Sequence, residues 1–146
     1  MTGMICAMSR TPRLDHIGIL VADFDGLQTA FGDVMGLEVT GPEPIPEKEM
    51  DILWVRLGEI LLQFIRPWHD ATPAAKVLQE NGPGLHHLGL EVDDLAGMLA
   101  TLDGRGIALD DALPRTGAHG AQVAFIAAPA LAGTAVELIQ HADRPA

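Results

Sequence analysis

Side chains alternate across a strand, so in Leu14-Asp15-His16-Ile17-Gly18-Ile19 the residues Ile17 and Ile19 share one face while Leu14, His16 and Gly18 share the other. Leu85-His86-His87-Leu88-Gly89-Leu90 repeats the pattern, and His16 and His87 lie 71 residues apart. A carboxylate suited to capping a first helical turn follows each stretch, Asp23 in one case and Asp93-Asp94 in the other. Helix-period apolar positions come next. Leu27, Ala30, Phe31 and Val34 predict a helix over 25–35 that stops at Gly36, and Leu95, Met98, Leu99 and Leu102 predict one over 95–103 that stops at Gly104.

The parallel continues through a short strand (37–40 and 107–109), a loop, and two longer strands. These are 52–57 with 60–65, then 123–127 with 135–139. Each half therefore reads β-α-β-β-β. Between them, Thr72 as N-cap and Pro73 at the first helical position predict a helix that ends at Asn81-Gly82. The chain divides into a flexible N-terminus over 1–12, a first βαβββ module over 13–70, a linker helix over 71–83, a second βαβββ module over 84–140 and a tail over 141–146. So little helix covers only one face of each sheet. The expected α+β fold therefore pairs two βαβββ repeats into a curved mixed sheet around a metal-containing cleft.

Composition narrows the function classes. With 146 residues, 48% of them hydrophobic, the chain supports a real core. A net charge of −11 disfavours general nucleic-acid binding. One cysteine, Cys6, allows neither a disulfide framework nor a thiolate metal cluster. The first ten residues lack a basic leader with a long apolar core, and apolar runs such as 60–62 and 123–130 are too short to cross a bilayer. A cytoplasmic protein with no membrane partner is expected.

The glycine two places after each histidine suggests open space beside the imidazole. A single histidine on such a strand is most often a core residue with a backbone partner, but its recurrence at the same place in both repeats favours a metal ligand. Gln63 and Glu137 are polar residues among apolar neighbours on the last strand of each half, 74 residues apart. The longer turn at 128–133, compared with Gly58-Glu59, accounts for the offset. A carboxylate buried among Val, Leu and Ile needs a cation, and the alternative is an outward-facing Glu on an exposed strand. His16, Gln63, His87 and Glu137 form a borderline-soft N and O set suited to divalent Zn, Co, Ni, Mn or Fe. His86, of opposite parity to His87, is a core residue or a support behind the ligands.

The stretches 84–95, Pro114-Arg115-Thr116-Gly117-Ala118-His119-Gly120 and Val136-Glu137-Leu138-Ile139-Gln140 resemble the methylmalonyl-CoA epimerases of the vicinal oxygen chelate superfamily, and 14–19 is similar to their opening strand. The likeness covers about Arg13 to Gln140. It implies a divalent ion held by His16, Gln63, His87 and Glu137, and epimerisation of an acyl-CoA substrate by α-proton abstraction and enolate stabilisation. Two bases, or one base and one protonated partner, are then required, one on each side of the α carbon. Glu137 is one candidate. Glu47, in Pro46-Glu47-Lys48-Glu49-Met50, matches a Pro-Glu element of the family and is the other, against the alternative of a solvated loop acid. Where some epimerases carry a base on the following strand, this chain has Asp51-Ile52-Leu53, and Asp51 fits only with a shift.

Coenzyme A is anionic, so an acidic protein must meet it with local cations, here Arg56, Arg66, Lys76 or Arg115. Gly117-Ala118-His119-Gly120 offers backbone amides at the mouth of the site, or is a plain connection. A glyoxalase I-like lyase acting on a glutathione hemithioacetal uses similar ligands. A dioxygenase with Fe(II) on His16, His87 and Glu137 fits the length poorly, and a non-catalytic small-molecule binder of the bleomycin-resistance type needs no ion. A homodimer, common among such proteins, is compatible with the sequence.

Overall fold

The computed structural model describes residues 11–142. Met1 to Arg10, with Cys6, lie outside them, as do the last four residues of the tail. The eight strands form a mixed sheet, accompanied by three helices. The described residues form two compact units, one over His16–His87 and one made of residues 11–15 with 88–142.

In the first repeat, β1 (Arg13–Leu20), helix α1 (Gln28–Val34), β2 (Glu38–Ile45), β3 (Met50–Leu57) and β4 (Ile60–Pro67) follow in chain order, and the strands lie in the order β2-β3-β4-β1. β1 is parallel to β4, and the other two pairings are antiparallel. Leu53, Val55 and Phe64 are buried beneath Phe24, Leu27 and Phe31, with Ile19, Val39 and Leu62 alongside. The helix thus covers the odd-numbered face of β1 and β3 and the even-numbered face of β4. His16, Gly18 and Gln63 stand on the opposite face.

In the second repeat, β5 (Gly84–Glu91), α3 (Leu95–Gly104), β6 (Arg115–Thr116), β7 (Gln122–Ile126) and β8 (Val136–Gln140) give the order β5-β8-β7-β6, again with one parallel pairing, β5 with β8. Leu95 and Leu99 of α3 pack with Val92, Ala124, Ile126, Val136 and Leu138. Leu95 and Leu99 are almost fully buried, and each contributes about 2–3 kcal/mol relative to exposure. Glu137 stands on the face of β8 turned away from α3.

Helix α2 (Pro73–Asn81) starts where its cap dictates, with the Ala75 N–H donating to Thr72 Oγ1 at 3.1 Å, and Gly82 follows it at φ +75°. Three sequence expectations change. The first helix is shorter than 25–35 and has wide π-type turns. Asp23 does not cap it, because its carboxylate instead accepts the Asp25 N–H within a preceding turn. Gly104 continues α3 and the left-handed residue is Gly106, at φ +77°. The strand expected over 107–109 is reduced to one bridge, Leu109 to Ile126, and a two-residue strand at 115–116 takes the edge. Pro114, which has no N–H to donate, separates the two pieces. Among the described residues no helix is long and apolar enough to cross a membrane.

Candidate metal centre and acid-base residues

β1 presents His16 from its buried face, where it is fully enclosed. His87 of β5 is buried as well, and the two imidazoles meet edge to face with Nε2 to Nε2 at 3.2 Å. Glycine at position 18 is what admits this approach. A Cβ there would collide with three ring atoms of His87. The space expected beside His16 is, over Gly18, taken up by the second histidine.

On the far side of His87, Nδ1 lies 2.9 Å from His86 Nδ1. His86 thus supports the neighbouring ring, one of the two roles its parity allowed. With the ring proton on His87 Nδ1 and donated to His86 Nδ1, His87 Nε2 would keep its lone pair, the form a metal ligand requires.

Gln63 is register partner to Gly18 in the β1–β4 pairing, so it stands on the face of β4 that continues the His16 face of β1. Trp54 is its partner on β3, with its indole N–H donating to Glu43 Oε1 at 3.2 Å. Glu137 is buried, in register with Gly89 of β5 and Phe125 of β7. This excludes the outward-facing alternative. His16 and His87 thus offer paired nitrogens, and Glu137 offers a buried carboxylate. The donor set fits a divalent ion, because metal–nitrogen bonds of about 2.0–2.1 Å place neighbouring donors roughly 3 Å apart, close to the histidine separation.

Glu47 is exposed in the short turn Pro46–Lys48 ahead of β3. Asp51 is engaged: Oδ1 accepts the Trp68 indole N–H at 2.9 Å, and Oδ2 accepts from Arg66 Nη2 at 2.6 Å. The Trp68 hydrogen bond first, then Arg66, hold its carboxyl below the ordinary carboxylate value, which makes it a poor proton acceptor. Two of the four candidate cations are likewise committed, Arg66 to Asp51 and, by cation–π contact, Phe24, and Arg115 to Asp111 at 2.9 Å. Arg56 makes only a longer contact, 3.5 Å, to Glu38, and Lys76 is exposed on α2. Sequence reading missed the Asp51 pairing because its partners lie 15 and 17 residues away. His119 adopts a left-handed conformation at φ +56° in the 117–120 loop.

The Glyoxalase/Bleomycin resistance protein/Dioxygenase superfamily profile matches residues 15–125, and the chain belongs to that superfamily. Its relatives include the bovine mitochondrial methylmalonyl-CoA epimerase, 31% identical over 88% of this chain and 74% of the relative. Another is the ethylmalonyl-CoA/methylmalonyl-CoA epimerase of Cereibacter sphaeroides, 29% identical over 88% and 97%. An uncharacterised Bacillus subtilis protein, YqjC, is 32% identical over 88% and 91%. Among solved structures, Streptomyces coelicolor methylmalonyl-CoA epimerase in complex with 2-nitronate-propionyl-CoA superposes with a TM-score of 0.84, at 25% identity over 94% of this chain and 99% of that one. The chain is an isomerase of the epimerase kind.

Proposed function

We propose that the chain is a divalent-metal-dependent epimerase of a methylmalonyl-CoA-like acyl thioester, with His16, Gln63, His87 and Glu137 holding the ion. The observation that carries this reading is the buried Nε2 to Nε2 approach of His16 and His87, together with the burial of the Glu137 carboxylate. Two enclosed imidazoles with a buried carboxylate are costly to maintain without a cation. When bound, the ion supplies positive charge for the oxygens on which an enolate's charge develops.

The remaining steps fall to side chains. Glu47 as carboxylate would take the α proton on one side of the α carbon, and Glu137, when protonated from solvent and not bound to the ion, would deliver one on the other. His86 fixes the orientation of the His87 ring. Arg56 and Lys76 retain charge for the phosphates of the thiol carrier, since Arg66 and Arg115 are paired internally. Because such a substrate belongs to the internal acyl-CoA pool, the enzyme is read as cytoplasmic.

The test is proton NMR in deuterated water with methylmalonyl-CoA and protein reloaded with Co(II) or Zn(II). Loss of the α-proton signal is the expected result. No exchange with any divalent ion, or turnover of a glutathione hemithioacetal in its place, would overturn the proposal. Metal analysis of the same sample distinguishes an enzyme from a metal-free binder.

A further inference from the structure

Glu47 sits in a turn whose geometry depends on the residue two places later. Glu49 is left-handed, at φ 52° and ψ 50°, a conformation that a side chain adopts only when its surroundings hold it there. Three contacts do so. The Glu49 N–H donates to Pro46 O at 3.1 Å and closes the turn, the Glu49 carbonyl accepts the Trp68 N–H at 2.9 Å, and Glu49 Oε2 lies 2.6 Å from His69 Nε2.

His69 is itself fixed. Its Nδ1 accepts the Ala71 N–H at 3.2 Å, so the ring proton belongs on Nε2, the nitrogen that donates to Glu49. Its carbonyl accepts from Thr72 Oγ1 at 3.4 Å, and that hydroxyl caps α2. A connected path thus runs from the start of α2 through His69 and Glu49 to the turn that carries Glu47. We infer that His69, acting through Glu49, is a positioning residue that holds Glu47 in place for proton transfer, an inference that rests on the acid-base role proposed for Glu47.

The pair is about half-exposed, and exposed polar contacts of that kind add little to global stability. The effect should therefore be local, and this separates positioning from folding. The test compares His69→Ala, His69→Gln, Glu47→Gln and the double variant Glu47→Gln/His69→Ala, all loaded with Co(II), using methylmalonyl-CoA as substrate. His69→Ala is expected to lower kcat by about ten-fold or more, because small misplacements of a reacting group are costly. KM, metal content and Tm should hold. Amide hydrogen exchange over residues 47–50 should speed up, a readout that needs no activity.

His69→Gln keeps an N–H donor and should recover most of kcat, and the double variant should be no slower than Glu47→Gln alone. Unchanged exchange and kcat in His69→Ala, or additive losses in the double variant, would overturn the positioning role. Wild-type activity in Glu47→Gln would instead remove the acid-base role of Glu47, whatever the exchange data show.

Discussion

The ring of His87 occupies the volume that a side chain at Gly18 would need. The β1 glycine is therefore part of the histidine site, even though it offers no ligand atom. Gly18→Ala must push the imidazole away from His16, because backbone on both sides is fixed by strand pairing. Overpacking of this kind costs about 1–3 kcal/mol. The variant should fold with a lower Tm and bind less Co(II) per chain, measured by thermal melting and metal analysis. Full metal content in Gly18→Ala would show that the ring has room the structure does not give it.

Removing either imidazole separates metal binding from folding. A ligand that binds only the folded state adds about 2.7 kcal/mol at a hundredfold excess over Kd. Wild-type protein should therefore melt higher with Zn(II) and lose that increment in chelator. His16→Ala and His87→Ala should show little increment at the same metal concentration. An undiminished increment in both variants would place the metal elsewhere.

How much of this was legible in the sequence depends on the range of the interactions. Parity along 14–19 was enough to put His16 and Gly18 on one face, because alternation is a local property of a strand. The same holds for Thr72 and Asp94, whose caps reach only three residues ahead, to Ala75 and Gly97. What fills the space over Gly18 was not legible, since the filling ring comes from a residue 69 positions later in the chain. Arg66 looked like a free cation for the same reason, its partner Asp51 lying 15 residues away, whereas Arg115 pairs with Asp111 only four residues back. The weak strand at 107–109 and the wide turns of α1 reflect packing, which the local pattern does not encode.

The caps give a comparison on one chain. Thr72→Ala and Asp94→Ala each remove an acceptor for a helix N-terminal N–H and should cost about 1 kcal/mol. Asp23→Ala should cost less, because its carboxylate accepts the Asp25 N–H in a turn and caps no helix. Urea unfolding of the three variants under one set of conditions checks the order. A loss in Asp23→Ala equal to the others would mean that this turn stabilises α1 as strongly as a cap.

Asp51 predicts a pH dependence with a definite sign. Its folded-state value is lowered from 3.8, so near that pH the unfolded chain binds more protons than the folded one. Stability from the Trp68 and Arg66 bonds is complete above the unfolded value and fades as pH falls through it toward the lower folded value. Asp51→Asn should therefore be less stable than wild type at about pH 7, and the gap should narrow as the pH approaches about 3. Urea titrations across that range measure the gap. A constant difference would mean that the carboxylate charge contributes nothing.

Glu137→Gln distinguishes a ligand from a merely tolerated buried acid. Glutamine has nearly the same volume and keeps an oxygen acceptor, so the packing around β8 should survive and the metal-free Tm should move little. The lost charge matters only when a cation is present, where charge-assisted contacts are about twice as strong as neutral ones. The variant should therefore show a smaller Tm increment with Co(II), weaker Co(II) affinity by titration, and slower α-proton exchange at saturating metal. The last loss should persist because an amide can neither take up nor deliver a proton as a carboxyl group does. If the increment and the affinity stay at wild-type values while exchange alone falls, Glu137 serves as a base and the ion is held by the histidines and Gln63 without it.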